Sequence, residues 1–281
     1  MELVNIVWNC NRAESWHSDW VEELFQFVPH KTFQNRDYNF AWNRSIIVDA
    51  VCYNRVRHNS YVSKLASLGL SFGFIHLTDE TTQDDISSYR YCRFVLRNYF
   101  RSIPNANVLT IPLGWNNGYR TATHTRPPNR EFLFSGVFDR MDPERAQLCE
   151  LLDGRNDVRL YVVSDRNPRL APNQVAAVYA SSLFTICCNG LLSVDSLRIS
   201  EALEAGSVPV VIDNPYWDKM YGADAPFLRV SSWHHLLKLS EDSTALRILG
   251  QQLQQRLVGW WASKLSSLKH DIKRLVEMTM S

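Results

Sequence analysis

The sequence predicts a two-domain α/β protein in which helices cover parallel sheets. Short apolar strands alternate with helix-like segments along most of its 281 residues, and this alternation is typical of β-α-β units. The segment 116–130 interrupts the pattern, because it is rich in Asn, Thr, Pro and Arg and has no periodicity. Such a composition indicates a linker between domains.

One β-α-β unit is especially clear. Leu183–Cys188 and Val208–Asp213 are apolar runs suited to buried strands. Between them, Asp195–Ala205 is predicted to be a helix, with Asp195 or Ser196 as N-cap and Gly206 just past its end. Parallel sheets bind ligands at the carboxyl ends of their strands. Here that edge carries Asn189, Gly190 and the segment 193–198.

The predicted helix has two faces. Ile199 and Leu203 share the face expected to pack on the sheet, whereas Arg198, Glu201 and Glu204 lie on the polar side. A polar helix face is usually just solvated. Arg198 and Glu201, however, lie in the first two turns beside a glycine-bearing loop, where N–H groups and the helix dipole attract phosphate.

The remaining elements follow in order along the chain. The first half contains these predicted elements: strands Leu3–Trp8, Ile46–Cys52, Ser71–Leu77 and Asn107–Ile111, and helices Trp16–Phe27 and Tyr61–Leu68. The second half adds strands Glu131–Val137, Val158–Ser164 and Phe227–Val230, and helices Pro143–Leu152, Pro172–Ser181 and Trp233–Leu239. From Thr244 to Met280, apolar residues recur every three or four positions, which predicts one long amphipathic helix or two stacked ones.

These elements predict two Rossmann-like domains facing across a cleft, the GT-B architecture of glycosyltransferases. The domains are expected at 1–115 and 131–243, with the linker at 116–130 and a helical tail at 244–281. The net charge of +1 gives no reason to expect a nucleic-acid partner. No apolar run reaches the length of a membrane span, and the six cysteines show no CxxC pair, so we expect free thiols in the cytoplasm.

Several motifs, taken in this order, resemble exostosin-family glycosyltransferases, and within them the exostosin-like branch that includes the ribitol xylosyltransferases. The resemblance spans about 75–213 and is most specific from Ser196 to Asp213. It rests on these groups of residues: His76-Leu77 with Asp79-Glu80, Arg97-Asn98-Tyr99, Ile111–Gly114, Phe134 with Gly136, Arg140 and Arg145, Tyr179 with Ser182, Phe184 and Cys187, and Gly190, Ser196, Arg198, Glu201, Gly206 and Pro209.

This resemblance implies an inverting GT-B enzyme that transfers a hexosyl or pentosyl group from a nucleoside-diphosphate sugar, most often UDP-linked, to a glycan or other hydroxyl acceptor. It implies no cofactor and no metal held by a DxD motif. One departure is the loop after the cysteine strand, where the family often has a basic residue and a proline and this chain has Cys188-Asn189-Gly190. Animal members are anchored in the Golgi, so a Golgi lumen location is the alternative if the chain is an excised region.

For the donor, we expect Arg140 and Arg198 to bind the diphosphate, since arginine bonds two phosphate oxygens at once. Glu201 is expected to accept hydrogen bonds from the ribose. The full set of expected donor-binding residues is Gly136, Arg140, Asn189, Gly190, Ser193, Ser196, Arg198 and Glu201. The competing interpretation is structural: surface ion pairs for the arginines and a helix-surface carboxylate for Glu201.

For the catalytic base, the candidates are Asp79 or Glu80, which follow a predicted strand, with His76 as a second choice. Arg97, Asn98 and Asp213 are possible substrate contacts. The structural alternatives are a turn-forming acidic pair for Asp79 and Glu80, a core histidine for His76, a structural ion pair for Arg97 and Asn98, and a loop cap for Asp213. Two other functions stay open: a catalytically inactive nucleotide-sugar-binding module and an unrelated two-domain α/β binding protein. The oligomeric state, the sugar and the acceptor are not predicted.

Overall fold

A computed structural model describes residues 3–13, 15–35, 44–50, 55–77, 79–103, 107–120, 130–140, 142–165, 167–190 and 192–280. The chain divides into two compact units. Unit 1 comprises Met1–Leu113 together with Leu265–Ser281, and unit 2 comprises Gly114–Lys264. Cys52 and most of the predicted linker lie outside the described residues.

Unit 1 is built on a six-stranded sheet in which every strand pairing is parallel. Its strands are β1 (Val4–Trp8), β2 (His30–Gln34), β3 (Ser45–Asp49), β4 (Gly73–His76), β5 (Phe94–Arg97) and β6 (Val108–Thr110), and its helices are α1 (Ser18–Leu24), α2 (Arg55–Ser67) and a 3₁₀ helix at Ser87–Tyr91. The strand order is β2-β1-β3-β4-β5-β6. The sheet therefore grows to one side from β1 and to the other side from β3, while all strands point the same way. The carboxyl ends of β1 and β3 form the switch point, where such sheets bind ligands.

Unit 2 repeats this plan with five parallel strands. Its strands are β7 (Phe132–Asp139), β8 (Val158–Val163), β9 (Ser182–Ile186), β10 (Val208–Ile212) and β11 (Leu228–Val230), and its helices are α3 (Pro143–Leu152), α4 (Pro172–Ala180), α5 (Leu197–Glu204), α6 (Tyr216–Tyr221) and α7 (Trp233–Ser240). The order β11-β10-β9-β7-β8 places the switch point between β7 and β9. The clear β-α-β unit of the sequence is β9-α5-β10, and Gly206 follows its helix with a φ of 66°, as its predicted role requires.

The tail is one continuous helix, α8 (Ser243–Met280). Near its start it approaches β9 closely: a Cβ on Gly250 would lie 2.5 Å from Leu183 and 2.6 Å from Phe184. Near its end, the ammonium of Lys269 forms an ion pair with Glu23 and a 2.6 Å hydrogen bond to Gln26. The predicted fold class, two parallel α/β units with a helical tail, is confirmed.

Some predicted elements differ in the structure. The first helix is shorter than predicted, because Trp16 is 56% exposed and Phe27 is 37% exposed and neither belongs to a buried stripe. Strand β2 was not predicted, since its sequence HKTFQ is polar and only half-buried. The short helix α6 and strand β5 were also not predicted from the sequence; β5 lies within an aromatic stretch that has no alternation.

Arg130 joins the ends of two helices in unit 2. One terminal nitrogen donates to the carbonyls of Tyr179, Ala180 and Ser182 at 2.8–3.1 Å, and the other donates to Ala205 and Gly206 at 2.9 Å each. The carbonyls of Tyr179 and Ala180 lie in the last turn of α4, and those of Ala205 and Gly206 lie just past α5. At such helix ends the dipole is negative and carbonyls lack helical partners. A single guanidinium thus fixes both helix ends relative to β9.

We predict that Arg130→Ala lowers the free energy of unfolding of unit 2 by about 2–4 kcal/mol, because it leaves several carbonyls without a charged donor. Urea denaturation followed by circular dichroism measures this loss. Arg130→Lys, the matched control, keeps the charge but not the planar fork, so we expect it to restore less than half of the loss. A lysine variant as stable as the wild type would contradict this account.

Candidate functional site

Arg145 holds together the two strand ends at the unit 2 switch point. Its helix, α3, begins at the N-cap Asp142, whose carboxylate accepts from the N–H groups of residues 144 and 145. From the first turn, the guanidinium donates to Asp139 at the end of β7 (2.9 Å) and to the carbonyl of Asn189 after β9 (2.6 Å). The side chain is only 4% exposed. Sequence reasoning gave it no role of its own.

Arg198 lies on the first turn of α5 at the same edge. Its Nε donates to the carbonyl of Val137 in β7 at 3.0 Å. Within the described part of the chain, its two terminal nitrogens have no hydrogen-bond acceptor. The N-cap Ser196 does not cap its helix through its side chain, and its hydroxyl donates to the carbonyl of Cys188 instead. The N–H groups of this helix turn and the fork of Arg198 therefore form an arrangement suited to an anion.

Asp195 precedes this N-cap and is fully buried. Its carboxylate accepts hydrogen bonds from the hydroxyl of Tyr216 and from the N–H of Ser196, both at 2.8 Å. Burial raises the pKa of Asp195 to about 7, against the lowering effect of those two hydrogen bonds. The structure assigns the N-cap position to Ser196, which resolves the alternative that the sequence left open.

Glu201 is buried rather than solvated. The sequence placed it on the polar face of its helix, but it is only 4% exposed. Its Oε1 accepts from the side-chain amide of Asn116 at 2.9 Å, and the hydroxyl of Tyr119 donates to its carbonyl at 2.7 Å. Burial raises the pKa of Glu201, while the bonds to Asn116 and the charge of Arg198 lower it. Helix periodicity could not reveal this cover, because it comes from residues far away in the sequence.

The other predicted donor residues are spread along the same edge. Asn189, Gly190 and Ser193 are half-buried in the loop after β9. Arg140 is exposed directly after β7. Burial raises the pKa of the nearby Cys149 thiol, and the hydrogen bond and charge of Arg140 partly oppose that rise. Gly136 lies inside β7, where a Cβ would meet Phe138 at 2.6 Å, so its visible role is packing. The side chain of Asp213, after β10, is 62% exposed and lies 3.8 Å from Arg229.

In unit 1, Asp79 and Arg97 form a buried ion pair of 2.7 Å, with side-chain exposures of 1% and 0%. The other carboxylate oxygen of Asp79 accepts from the N–H groups of Gln83 and Asp84 at 3.1 Å each. Arg97 also donates to the carbonyls of residues 98 and 99. These contacts define Asp79 as the organiser of the loop after β4.

His76 is engaged at both ring nitrogens. Nδ1 lies 2.6 Å from the hydroxyl of Tyr89, and Nε2 lies 3.2 Å from the carboxylate of Asp84. The ring is 2% exposed, as is typical of a core histidine. Glu80, by contrast, is half-buried. Asn98 is buried beside Tyr99, whose φ of 57° is left-handed; such strain in a non-glycine residue is concentrated at functional sites.

The switch point of unit 1 carries a polar network that sequence reasoning missed. The hydroxyl of Tyr61 donates to Asn35 at 2.7 Å, the amide of Asn35 donates to Asn9 at 3.2 Å, and the amide of Asn9 lies 3.4 Å from Asp49. These residues come from α2 and from the ends of β2, β1 and β3. Because β2 was not predicted, the strand order of this sheet could not be inferred from the sequence. That order is the signal that would have marked this edge as a switch point.

His17 is the N-cap of α1 and is 6% exposed. Burial lowers its pKa to about 4, and a hydrogen bond to the backbone of Leu113 only partly opposes this. The ring is therefore neutral at pH 7. In the same region the indole N–H of Trp20 donates to the carbonyl of Pro112 at 3.0 Å. This cluster joins the segment after β6 to the first helix of unit 1.

Comparison with solved structures shows that the chain has the GT-B fold. The crystal structure of an alpha1,3-fucosyltransferase matches with a TM-score of 0.55 and 12% identity, over 94% of this chain and 90% of that one. The crystal structure of TarM matches with a TM-score of 0.50 and 12% identity, over 83% of this chain and 55% of that one. At these identities the likeness establishes the fold alone.

No family model matches the sequence, and no curated protein matches it. The resemblance to the exostosin family therefore stays a prediction. In the described residues, no helix is both long and apolar enough to cross a membrane. Over the same residues, no group of three or more His, Cys, Asp or Glu side chains is placed to hold a metal ion.

We predict that His17 makes unit 1 sensitive to acid. Its pKa is lowered on folding, so the stability it contributes is complete above its unfolded value of about 6.5 and is lost as pH falls towards 4. Between pH 7 and pH 5 the loss is about 2 kcal/mol. The measurement is urea denaturation at both pH values.

His17→Gln should lose about 2 kcal/mol less than the wild type over this pH interval, because glutamine does not titrate. His234→Gln removes an exposed histidine and is the matched control, which should follow the wild type. Identical acid sensitivity of the wild type and His17→Gln would rule out this role.

Proposed function

We propose that the chain is a glycosyltransferase that moves a sugar from a nucleoside-diphosphate donor, of the UDP class, to a hydroxyl group of a glycan or similar acceptor. The observation that carries this proposal is the anion-suited edge of unit 2, where Arg198 and the first turn of α5 meet the loop held by Arg145. The GT-B fold supports the proposal, since its structural neighbours are glycosyltransferases.

Donor binding is assigned to unit 2. The terminal nitrogens of Arg198, with the N–H groups of the first turn of α5, bind the diphosphate. Arg145 keeps the ends of β7 and β9 in register, so that this loop presents its donors without reorganising. Glu201 uses Oε1 for Asn116, and its second oxygen accepts from the ribose. A rigid, partly dehydrated site of this kind strengthens each charged hydrogen bond.

The reaction proceeds with inversion and without a metal ion. The acceptor hydroxyl loses a proton to a base while its oxygen attacks the anomeric carbon in line, and the bond to the diphosphate breaks. Negative charge then develops on the leaving diphosphate. The guanidinium of Arg198 and the positive end of the α5 dipole stabilise that charge, which is the function that a divalent cation serves in other transferases.

Of the three candidate bases, we propose Glu80, because of its exposure. Asp79 is committed to its ion pair with Arg97, and His76 to its bonds with Tyr89 and Asp84. Glu80 follows Asp79 directly and is only half-buried, so a hydroxyl group has access to it. Asp79 and His76 then act as positioning residues for the loop that carries Glu80.

The structural engagement of Asp79 and His76 also favours one alternative. If Glu80 is not a base, the chain is a nucleotide-sugar-binding module without transferase activity. Both functions require donor binding, but only the transferase turns over. The following two experiments measure these two properties separately.

The first prediction concerns donor binding. In a thermal-shift screen with UDP-, GDP- and CMP-sugars, we expect the UDP-sugars to raise the melting temperature, because a ligand that binds only the native state stabilises it. By calorimetry, Arg198→Ala should weaken the donor affinity by about 10- to 100-fold, since a charged hydrogen bond contributes about 1.5–3 kcal/mol.

Glu201→Gln should weaken donor binding less than Arg198→Ala, and Arg256→Ala, which removes an exposed arginine from α8, should not change it. If no nucleotide sugar produces a shift or any heat, the transferase proposal and its binding-module alternative both fail.

The second prediction concerns the base. Glu80→Gln should lower kcat by about 10²- to 10⁴-fold, with the donor dissociation constant unchanged, as expected on removal of a general base. Turnover is measured as release of the nucleoside diphosphate in the presence of acceptor. The surface variant Glu277→Gln is the control in unit 1. Full turnover by Glu80→Gln would place the base elsewhere.

A further inference from the structure

Asp195 is a buried acid to which the proposed reaction gives no role. It lies in the loop between β9 and α5, between the predicted donor residues Ser193 and Ser196. Its N–H donates to the hydroxyl of Ser193 at 3.2 Å, and its carboxylate accepts from the N–H of Ser196 at 2.8 Å. These bonds fix the backbone of the segment that leads into the first turn of α5, whose N–H groups are assigned to the diphosphate.

The same carboxylate connects this loop to the segment that follows the neighbouring strand, β10. Its second oxygen accepts from the hydroxyl of Tyr216, the first residue of α6, which follows β10. Asp195 therefore orders two neighbouring loops at the carboxyl edge of the sheet. A buried group with bonds to two loops is a coupling element, because a change in its charge affects both of them.

The groups that face Asp195 are neutral at pH 7. From α6 these are the phenols of Tyr216 and Tyr221, from the residue after β9 the thiol of Cys187, and from the N-cap of α5 the N–H of Ser196. Burial raises the pKa of Tyr221 and of Cys187 well above their ordinary values. In the part of the chain that is described, no lysine, arginine or histidine forms an ion pair with Asp195.

We propose that Asp195 is a positioning residue of the donor site whose protonation is coupled to binding of the nucleoside diphosphate, so that donor binds more tightly when this carboxyl group carries its proton. The inference rests on the proposed function. It adds to that function a proton that is taken up when the donor binds and released when the nucleoside diphosphate leaves.

The coupling follows from charge. A diphosphate brings two negative charges to a loop that contains a buried carboxylate without a cationic partner, and like charges in a poorly hydrated site disfavour each other's charged form. Burial already raises the pKa of Asp195 to about 7, so the group titrates in the physiological range. Donor binding should raise this pKa further, and by reciprocity the donor affinity falls as the carboxyl group ionises.

The size of the effect follows from the shift. If the donor raises the pKa of Asp195 by about one unit, its affinity falls by nearly tenfold between pH 6 and pH 9. At pH 7.5 the same shift corresponds to uptake of about half a proton for each donor bound. Both quantities are measured on the intact protein.

The experiment is isothermal titration calorimetry with UDP-glucose, and with GDP-mannose as a second probe, from pH 6 to pH 8.5. Two buffers of different ionisation enthalpy at pH 7.5 report the protons exchanged. These sugars are suitable because their diphosphate is esterified at both ends and does not titrate over this range. We expect an affinity that falls with pH, together with proton uptake.

Variants identify the group responsible. Asp195→Asn keeps an oxygen acceptor but cannot ionise, so it should bind with the low-pH affinity of the wild type at every pH and take up no proton. Tyr216→Phe removes a hydrogen bond that favours the carboxylate, so the midpoint of the pH dependence should move to higher pH. Asp153→Asn, an exposed carboxylate at the end of α3, is the matched control and should behave as the wild type.

The outcomes distinguish the two proposals. If neither probe nor any sugar of the donor screen binds at pH 6, the proposed function fails, and this inference fails with it. If donor binds with a pH-independent affinity and no proton uptake, only the coupling is overturned. If the pH dependence persists in Asp195→Asn, another group carries it and the assignment to Asp195 is wrong.

Discussion

The position of α5 is the constraint on which the candidate site of unit 2 depends. The helix is held at both ends by arginine contacts to backbone carbonyls: Arg130 binds the carbonyls past its last turn, and Arg198 on its first turn donates to Val137 in β7. The amphipathic face with Ile199 and Leu203, both fully buried, fixes its rotation about its axis. With the helix fixed in this way, its first turn and the loop before it have one position relative to the ends of β7 and β9.

Buried ionisable groups recur in both units, and their effects on stability have opposite dependence on pH. His17 is held neutral by burial and resists protonation, whereas burial of Asp195 opposes its ionisation. Burial of His17 therefore makes the folded state more stable at neutral pH than in acid. Burial of Asp195 makes it more stable at mildly acid pH than at alkaline pH.

The elements that the sequence predicts well are those in which local signals agree. Around α5, apolar strands, a Ser N-cap and Gly206 indicate the same boundaries, and for α3 the Asp142-Pro143 start does so. Strand β2 and helix α6 carry no comparable signal, since their burial depends on partners distant in sequence.

The same limit applies to the candidate site. The spacing pointed to Arg198 and Glu201, but the cover of Glu201 by Asn116 and the contacts of Arg145 and Asp195 arise from tertiary structure. The functional prediction came from the resemblance to exostosins, and neither periodicity nor composition could have provided it.

The ion pair between Asp79 and Arg97 has a consequence for how this sequence can change over time. Each side chain is almost completely enclosed, and the loss of one would leave the other as a buried charge without a partner, which is far costlier than the loss of both. Substitution at either position alone is therefore disfavoured, even if the second change would restore a well-packed apolar pair. As the sequence evolves, the two positions are therefore expected to change together or not at all.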